Sequence, residues 1–588
     1  MTDVNALFAR AEGAFRQNRL EDARRDLMAI TRQVRHPAVS HLLALVEQRR
    51  GAVAAARAAF AQAHALAPRD PQIANNLGNF LADLGETDAA LLAYDRAIAA
   101  APQIPDAALH RAIALKDAGR EEEARRALDA LLARFPTLAA GWSVLGALEL
   151  LAADLDAAAV AFDRALAYRP DLRTALHGRA RVALERGEAN AADRFDAALR
   201  VDPDALPLVL GQAEAREAAG DGEAWVRLAP VVARHPEWVD GHRTLARMRW
   251  EAGDAAGSTE ALEAALRRAP KQPDLWRALV DMLAGTDRFA AAADAAAAAR
   301  RALGDAAEFA LHEAVAAGHA GDDARAERLF AGAAAAAPES AVPHARHLLR
   351  RGDRDRAGAV LDAAIAAAPS DLSAWALRGL VWRLAGNARA AWLHEQPGLV
   401  AERPLPLKPA ELDEITAALR ALHRTRAFPV GQSLRGGTQT RGRLFARQDP
   451  AIRALAAAVE QAVAAHWAAL PPPDPHHPLL RHRARRPRLA GSWSVRLTGQ
   501  GFHVAHIHPQ GLLSSAIYFV VPSAGEHDGQ AGWLEIGRPP ADLDLPLGPL
   551  VTIAPAPGRM VLFPSTLFHG TRPFAAGERL TAAFDVVA

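Results

Sequence analysis

The segment 77–102 reads LGNFLADLGETDAALLAYDRAIAAAP and contains the signals that decide the fold of most of the chain. Gly85 separates two apolar helical stretches, and Pro102 follows the second. A fixed period of this kind indicates a solenoid of helical pairs, because each pair must bury its apolar face against its neighbours. The 34-residue spacing is strict at Pro68, Pro102, Pro136 and Pro170, and it continues less regularly at Pro203, Pro236, Pro270, Pro338 and Pro369.

Small and aromatic residues repeat inside the period as well. Gly78 is followed by Tyr94 in one repeat, and Gly146 is followed by Phe162 in another. The small residues let antiparallel helices approach closely, and the rings fill the space between repeats. This pattern resembles the tetratricopeptide repeat family over residues 4–395, with about ten or eleven repeats. The resemblance implies an all-α superhelix whose concave face binds an extended peptide or a partner protein.

Two asparagines are candidates for contact with such a partner. Asn75 and Asn79 lie four residues apart on the first predicted helix of one repeat. Members of the family often contact a ligand backbone from such positions, so the resemblance implies a partner-binding role. The alternative is that both are ordinary solvated helix residues, because the asparagines do not recur in later repeats.

Composition excludes several classes of protein. The 588 residues include 69 basic and 68 acidic side chains, so the net charge of +1 gives no general basic field for nucleic acid. The chain has no cysteine, which excludes disulfides, thiolate zinc sites, iron–sulfur clusters and thiol nucleophiles. Any metal site must therefore be built from His, Asp and Glu.

Charge also interrupts every apolar stretch. Asp3, Arg10 and Glu12 precede any long apolar run, so we expect no signal peptide. No run of about 18 apolar residues lacks a charge or a proline, so we expect no membrane span. These features predict a cytoplasmic protein.

The pattern changes near residue 395, and we expect a second domain at 396–588. Helices are predicted at 410–425 and 450–470, and the basic run 481–488 is interpreted as a solvated loop because it lacks interleaved aromatic residues. Short segments of alternating polarity follow, and they predict a small β-sandwich or barrel. The predicted strands are Ser492–Leu497, Gly501–His508, Leu513–Val521, Gly532–Ile536, Val551–Ile553, Arg559–Phe563 and Leu580–Val587.

Histidines are concentrated in the segment GFHVAHIHP at 501–509. Residues two apart on a strand share a face, so His506 and His508 should converge while His503 points away. His569, in the later segment FPSTLFHG, is the candidate third imidazole, and three such ligands would make a facial metal site. The alternative is that these are surface histidines near a sheet edge.

Ten residues beyond His569, the last predicted strand begins with Arg579. A cation among small and apolar residues requires an anion. A guanidinium can hold a ligand carboxylate through two hydrogen bonds, and Thr581 on the same strand face can add one more. Glu578 or Asp585 could instead satisfy Arg579 structurally.

Together these segments resemble the Fe(II)/2-oxoglutarate-dependent oxygenases, and more narrowly a bacterial group often fused to tetratricopeptide repeats. The resemblance covers residues 400–588 and implies a double-stranded β-helix (jelly roll) with flanking helices. It also implies Fe(II) and 2-oxoglutarate as cofactor and cosubstrate. By position, His506 and His569 would be iron ligands, and Arg579 would bind the distal carboxylate of 2-oxoglutarate. Tyr518 would be a hydrogen-bond donor to the same molecule or a packing residue.

The sequence departs from the wider superfamily at one ligand position. Asp or Glu normally stands two residues after the first histidine, whereas here that residue is His508. A third neutral imidazole leaves the iron centre one unit more positive than a carboxylate would. His508 is the expected third ligand, with Glu535 and Asp528 as alternatives on other segments.

Three functions therefore compete. The first is hydroxylation of a protein or peptide recruited by the repeats, driven by oxidative decarboxylation of 2-oxoglutarate. The second is a three-histidine zinc hydrolase or lyase, for which Arg579 would have no purpose. The third is an interaction scaffold without catalysis.

Overall fold

The computed structural model describes residues 4–337, 339–425, 427–522 and 529–588. The predicted turn at Pro338 and the candidate ligand Asp528 lie outside these residues. The chain divides into two compact units, Met1–Val182 with Arg200–Pro203, and Ala183–Leu199 with Asp204–Ala588. No helix in the described residues combines the length and the hydrophobicity needed to cross a membrane.

Antiparallel helical pairs occupy the described chain as far as His394. They number twelve, one or two more than the repeat pattern predicts. The helices are α1 (Val4–Arg16), α2 (Leu20–Thr31), α3 (Pro37–Arg49), α4 (Val53–Leu66), α5 (Pro71–Asp83), α6 (Thr87–Ala100), α7 (Asp106–Asp117), α8 (Glu121–Arg134), α9 (Ala139–Leu151), α10 (Leu155–Tyr168), α11 (Arg173–Glu185), α12 (Ala191–Val201), α13 (Leu206–Ala218), α14 (Ala224–Arg234), α15 (Val239–Glu251), α16 (Glu260–Arg268), α17 (Pro273–Ala284), α18 (Phe289–Leu303), α19 (Ala307–His319), α20 (Asp323–Phe330), α21 (Ala341–Arg350), α22 (Arg354–Ala367), α23 (Leu372–Leu384) and α24 (Arg389–His394).

Every pair turns through one residue in the left-handed backbone region. Nine of these twelve residues are glycines, which adopt a positive φ without steric cost. Asn18, Ala153 and Asp287 take the same position with φ of 58°, 63° and 60°. The glycine pattern alone undercounts the pairs because these three turns carry no glycine. The glycines are Gly51, Gly85, Gly119, Gly187, Gly220, Gly253, Gly321, Gly352 and Gly386.

Close helix packing inside a pair depends on glycine opposite an aromatic ring. A Cβ placed on Gly78 would lie 2.5 Å from the Tyr94 ring, and one on Gly146 would lie 2.8 Å from the Phe162 ring. Tyr94 and Phe162 are both fully buried. The ring therefore fills the volume that the missing side chain leaves, as the sequence pattern predicts.

The rest of the chain forms one antiparallel sheet with two accompanying helices, α25 (Pro409–Leu422) and α26 (Pro450–Ala469). The strand order is β1-β7-β4-β9-β3-β8-β5-β6, and β2 also pairs with β3. The predicted class, tetratricopeptide-like helical repeats followed by a curled antiparallel β domain, is confirmed. The strands are β1 (Ala401–Pro404), β2 (Leu434–Gln439), β3 (Arg488–His506), β4 (Leu513–Val520), β5 (Leu534–Ile536), β6 (Val551–Ile553), β7 (Arg559–Pro564), β8 (His569–Thr571) and β9 (Glu578–Val587).

One strand prediction is wrong in its bounds. Ser492–Leu497 and Gly501–His508 were expected to be separate strands, but β3 continues through the glycines between them. The strand remains continuous because β9 pairs with its first part and β2 pairs with it on both sides of a bulge. The strand ends at His506, so His508 lies in the loop that follows.

Within the second unit, the turn ends of the helical pairs contact the β domain. Trp250 donates its indole hydrogen to the Phe428 carbonyl at 2.8 Å. Asp287 pairs with Arg435 at 2.7 Å, and Arg346 pairs with Asp542 at 2.6 Å. These contacts come from three different pairs, so the repeats and the β domain of this unit share an extended boundary.

Candidate metal centre

Three imidazoles meet where β3 ends and β8 begins. His506 is the last residue of β3 and is paired in register with His569, the first residue of β8. His508 approaches from the following loop, and its Nε2 lies 3.0 Å from Nε2 of His506. One ring nitrogen from each of the three lies within 4.8 Å of the others. The prediction that these histidines converge agrees with this geometry.

The other nitrogen of each ring is held by a hydrogen-bond acceptor. The Nδ1 of His506 lies 2.9 Å from the Val504 carbonyl, and that of His569 lies 3.2 Å from the Leu567 carbonyl. Since a carbonyl can only accept, each Nδ1 carries the hydrogen and each Nε2 presents a lone pair. Backbone contacts of this kind orient histidines that bind metals.

Burial keeps the imidazoles of His506 and His569 neutral. It lowers the pKa of His506 to about 3, with a further lowering from the neighbouring His508. It also lowers the pKa of His569 well below its ordinary value, and His506 contributes next. A neutral imidazole is the form that binds a metal ion, so the site is prepared for a cation rather than for protons.

The third histidine has a charged partner. The Nδ1 of His508 lies 2.9 Å from a carboxylate oxygen of Asp585, and the His508 ring stacks on Trp493 at 5.2 Å with an interplanar angle of 15°. Asp585 is largely buried. A carboxylate is therefore present at this position, but it lies behind the third imidazole rather than among the three ring nitrogens.

Glu535, one alternative ligand, is held by other groups. Its carboxylate lies 2.5 Å from Nε of Arg538 and 3.7 Å from Nη1 of Arg572. It is not part of the group of three nitrogens. The other alternative, Asp528, lies outside the described residues.

Arg579 is a buried cation at the far side of the same site. Its residue is only 2% exposed, and Nε has no hydrogen-bond partner in the described part of the chain. The two carboxylates expected to neutralise it have other partners: Glu578 contacts Arg420 and Arg496, each at 2.7 Å, and Asp585 contacts His508. The alternative that Glu578 or Asp585 neutralises Arg579 is therefore not observed.

Tyr518 and Thr581 differ in how they relate to Arg579. The Tyr518 ring lies under the guanidinium, with Cζ 5.3 Å from the ring centroid, and its fully buried hydroxyl lacks a partner among the described residues. Burial raises the pKa of Tyr518 to about 12, so the hydroxyl keeps its proton. Thr581 lines the cavity, and its hydroxyl lies 3.4 Å from the Val495 carbonyl.

One small cavity, of about 50 Å³, connects these groups. Its walls include His506, His569 and Arg579, so the metal-binding nitrogens and the unpaired cation face a common space. Burial lowers the pKa of Arg579 from its usual value, and the neighbouring Tyr518 only partly offsets this lowering.

The expectation that His503 points away from the site is wrong. His503 lines the same cavity, and its ring stacks near His506 with centroids 5.9 Å apart. The register shifts between His503 and His506, so the extra residue of a bulge brings positions three apart to one face. The residues inside the shift, Val504 and Ala505, include no glycine that would have signalled the bulge.

Ser433 is another site residue that the sequence gave no reason to select. Its hydroxyl oxygen lies 3.2 Å from Nδ1 of His503 and 3.2 Å from Nε2 of His506. It precedes β2 and lies about seventy positions before its partners, so only the β2–β3 pairing brings them together.

A wider cavity of about 550 Å³ opens beside His506 and His508. The repeats contribute Gly285 and Asp287 to its wall, and Arg435 of the β domain pairs with Asp287 there. The candidate metal centre is thus reached through a mouth that both parts of the second unit form.

Asn75 and Asn79 lie in the first unit and use their side chains within the repeats. The Asn75 amide oxygen lies 2.9 Å from Nδ1 of His110 in the next pair, and Asn79 accepts a hydrogen bond from Tyr94 at 2.8 Å. Their role in partner binding stays a prediction.

Comparisons with known proteins identify both parts of the chain. A family described as "Putative 2OG-Fe(II) oxygenase" matches residues 491–585, the range that contains the three histidines and Arg579. The tetratricopeptide repeat family matches residues 41–105 and 342–392. The chain thus carries segments similar to tetratricopeptide repeats and, after them, a segment similar to a putative oxygenase family. The family resemblance inferred from the sequence is confirmed.

Solved structures similar to this chain include several repeat proteins. Yeast Tom70 is 13% identical, with 66% of this chain and 98% of that chain covered and a TM-score of 0.35. A tetratricopeptide repeat protein from Parabacteroides merdae is 17% identical, with 41% and 97% covered and a TM-score of 0.34. The type IV pilus biogenesis factor PilW is 21% identical, with 35% and 97% covered and a TM-score of 0.32. No curated protein matches the chain significantly.

Proposed function

We propose that this protein is an Fe(II)- and 2-oxoglutarate-dependent dioxygenase that hydroxylates a protein or peptide. The observation that carries the proposal is the shared cavity, which has three convergent imidazole nitrogens at one side and, at the other, the buried Arg579, which pairs with no carboxylate in the described part of the chain. A metal cation satisfies the first group and a carboxylate satisfies the second.

The donor set fits a divalent cation. The Nε2 lone pair of His506 is only 3.0 Å from that of His508, and each Nδ1 is already engaged. Two lone pairs at this distance repel unless a metal cation or a shared proton lies between them. His506, His508 and His569 would hold the iron, and three imidazoles on one side leave other positions open for exchangeable ligands.

Asp585 explains how the site can function without a carboxylate among the metal ligands. Its negative charge reaches the site through the hydrogen bond from His508, which increases the basicity of that imidazole. We infer that the His508–Asp585 pair replaces the carboxylate ligand of the wider superfamily. Trp493 stacks on His508 and fixes the plane of its ring.

Fe(II) with 2-oxoglutarate supplies an oxidation in which dioxygen hydroxylates a C–H bond while the oxo acid loses CO₂ and becomes succinate. Arg579 would bind the distal carboxylate through charge-assisted hydrogen bonds, Thr581 lines the same cavity and would add one more, and the Tyr518 ring would hold the guanidinium in place. His503 lines the same cavity as Arg579 and the metal ligands, where it would orient the cosubstrate, and the Ser433 hydroxyl lies 3.2 Å from its Nδ1. Burial of the cavity limits entry of water during the reaction.

The mouth supports a protein or peptide substrate. Tetratricopeptide repeats are protein-interaction modules, and residues of the repeats form part of the wall beside His506 and His508. A polypeptide recruited by the repeats would therefore be presented next to the metal. The cavity of about 550 Å³ admits a side chain with adjoining backbone.

Anaerobic spectroscopy tests the proposal. The full chain is loaded with Fe(II) and titrated with 2-oxoglutarate, while the weak visible charge-transfer band of the iron–oxo acid chelate is recorded. We expect the band in the native protein and in Arg496→Met, and no band at the same cosubstrate concentration in Arg579→Met. No band in any of these proteins, together with zinc in the purified sample, would favour a hydrolase; no band and no metal would favour a scaffold.

A further inference from the structure

A further cavity, of about 210 Å³, lies in the same unit and is not used by the proposed reaction. Three repeat helices contribute to it: α19 with Val315 and His319, α21 with Arg346 and Arg350, and α23 with Leu377. The β domain closes it with two apolar side chains, Ile507 and Phe568.

The polar side of this cavity has more cations than anions. Asp542 is the nearby carboxylate, and Arg346 binds it through two hydrogen bonds of 2.6 and 3.2 Å. Nε of Arg350 is 3.9 Å from the same carboxylate, beyond hydrogen-bond distance. The solvent-inaccessible Nε and Nη1 atoms of Arg350 have no partner among the described residues. Among the described residues, Asp542 is thus the one acidic group within 4.0 Å of these two guanidinium groups, and Asp323 acts on Arg350 from farther away.

His319 does not supply the missing anion or add a charge. Burial lowers its pKa to about 4, and Arg346 and Arg350 lower it further. The neutral ring stacks on Phe289 with centroids 4.8 Å apart. Arg350 therefore remains a partly buried cation whose Nε and Nη1 donors find no partner among the described residues, which is costly unless an anion binds.

The remaining walls determine what kind of anion fits. Val315, Leu377, Ile507 and Phe568 present hydrocarbon to the cavity, so an inorganic anion would leave most of the wall without contact. Gly318 shapes the polar end, because a Cβ there would lie 2.8 Å from Nη1 of Arg350. A ligand with one anionic group and a short aliphatic chain matches both ends.

We propose that this cavity binds a small aliphatic carboxylate, with its carboxylate at Arg350 and its chain against Ile507 and Phe568. The site is separate from the cavity at Arg579, and the proposal holds whatever reaction the metal centre performs. Ile507 lies between His506 and His508 in the sequence, so an occupant would contact the chain segment that carries two candidate ligands.

Calorimetric titration of the full chain with hexanoate tests the proposal, with hexan-1-ol and sulfate as probes that lack the charge or the chain. We expect hexanoate to bind at least ~10-fold more tightly than either probe, because hexan-1-ol lacks the negative charge and sulfate lacks the aliphatic chain. Arg350→Met should weaken hexanoate binding by at least ~10-fold, whereas Arg351→Met, an exposed neighbour, should not.

Arg579→Met distinguishes this cavity from the proposed cosubstrate site, and hexanoate should bind that variant as it binds the native chain. Val315→Phe fills the cavity while keeping Arg350, so it should abolish binding even if Arg350→Met fails to fold. The proposal is overturned if hexanoate does not bind, if hexan-1-ol or sulfate binds equally well, if Arg579→Met abolishes binding, or if folded Arg350→Met or Val315→Phe retains it.

Discussion

The helical pairs and the β domain differ in how often a residue with a given role is repeated. The turn in the left-handed region occurs twelve times in the described repeats, and nine different glycines serve it. In the β domain, by contrast, His506, His569 and Arg579 each occur once at one cavity. Damage to one repeat should therefore be local and modest, whereas damage to one site residue should remove a binding function.

The largest effect should come from removing a metal ligand. His569→Ala deletes one of three converging nitrogens, and we expect Mn(II) affinity measured by calorimetry to fall by more than the ~10–100-fold typical of losing an outer hydrogen-bond partner. The exposed His476→Ala serves as the control and should leave affinity unchanged. Equal affinity in native and His569→Ala protein would show that the three imidazoles do not form the site.

Removing the partner of a ligand should have a smaller effect on the same measurement. Asp585→Asn keeps the shape of the side chain but removes the charge behind His508, so Mn(II) affinity should fall by about 10–100-fold. Glu578→Gln removes a charge near the other end of β9 and should have little effect, because Glu578 contacts Arg420 and Arg496 instead. A larger loss in the control would contradict the role assigned to Asp585.

A repeat substitution should change stability without changing metal binding. Gly78→Ala places a methyl group 2.5 Å from the Tyr94 ring, which must shift, so we expect a loss of about 1–3 kcal/mol in the urea unfolding of the repeats. Gly13→Ala is the matched control, since no atom lies within 4 Å of its new Cβ and helix propensity favours alanine. A large effect of Gly78→Ala on Mn(II) affinity would contradict the view that damage to a repeat leaves the metal site of the β domain unchanged.

The smallest effect should be a gain in stability from a substitution at one of the turns. Ala153 has φ of 63°, a conformation that costs an alanine side chain about 1 kcal/mol relative to glycine. Ala153→Gly should therefore raise the urea midpoint slightly, and Gly119→Ala should lower it by a similar amount at an equivalent turn. Lower stability in Ala153→Gly would mean that the turn is not strained.

The contrast also explains which features the sequence predicts. Repeat length, the pairing of Gly78 with Tyr94, and the order of His506, His569 and Arg579 are local patterns, and the structure agrees with each. The number of pairs is undercounted because Ala153 and two other residues replace glycine at equivalent turns.

Errors arise where non-local register decides the geometry. His503 joins the site because a bulge changes the alternation of β3, and Ser433 reaches it only through the pairing of β2 with β3. Asp585 was expected as a possible partner of Arg579, but it contacts His508 from the neighbouring strand. These contacts depend on which strands pair, and a single sequence does not specify that pairing.

The most direct test of the central claim is the linkage between metal and cosubstrate. Calorimetry would measure 2-oxoglutarate binding to the full chain with and without Mn(II), in the native protein, Arg579→Met and Arg496→Met. If one cavity holds both, Mn(II) should strengthen 2-oxoglutarate binding at least ~10-fold, and Arg579→Met alone should abolish tight binding. Binding that is independent of Mn(II), or unchanged in Arg579→Met, would contradict the shared site.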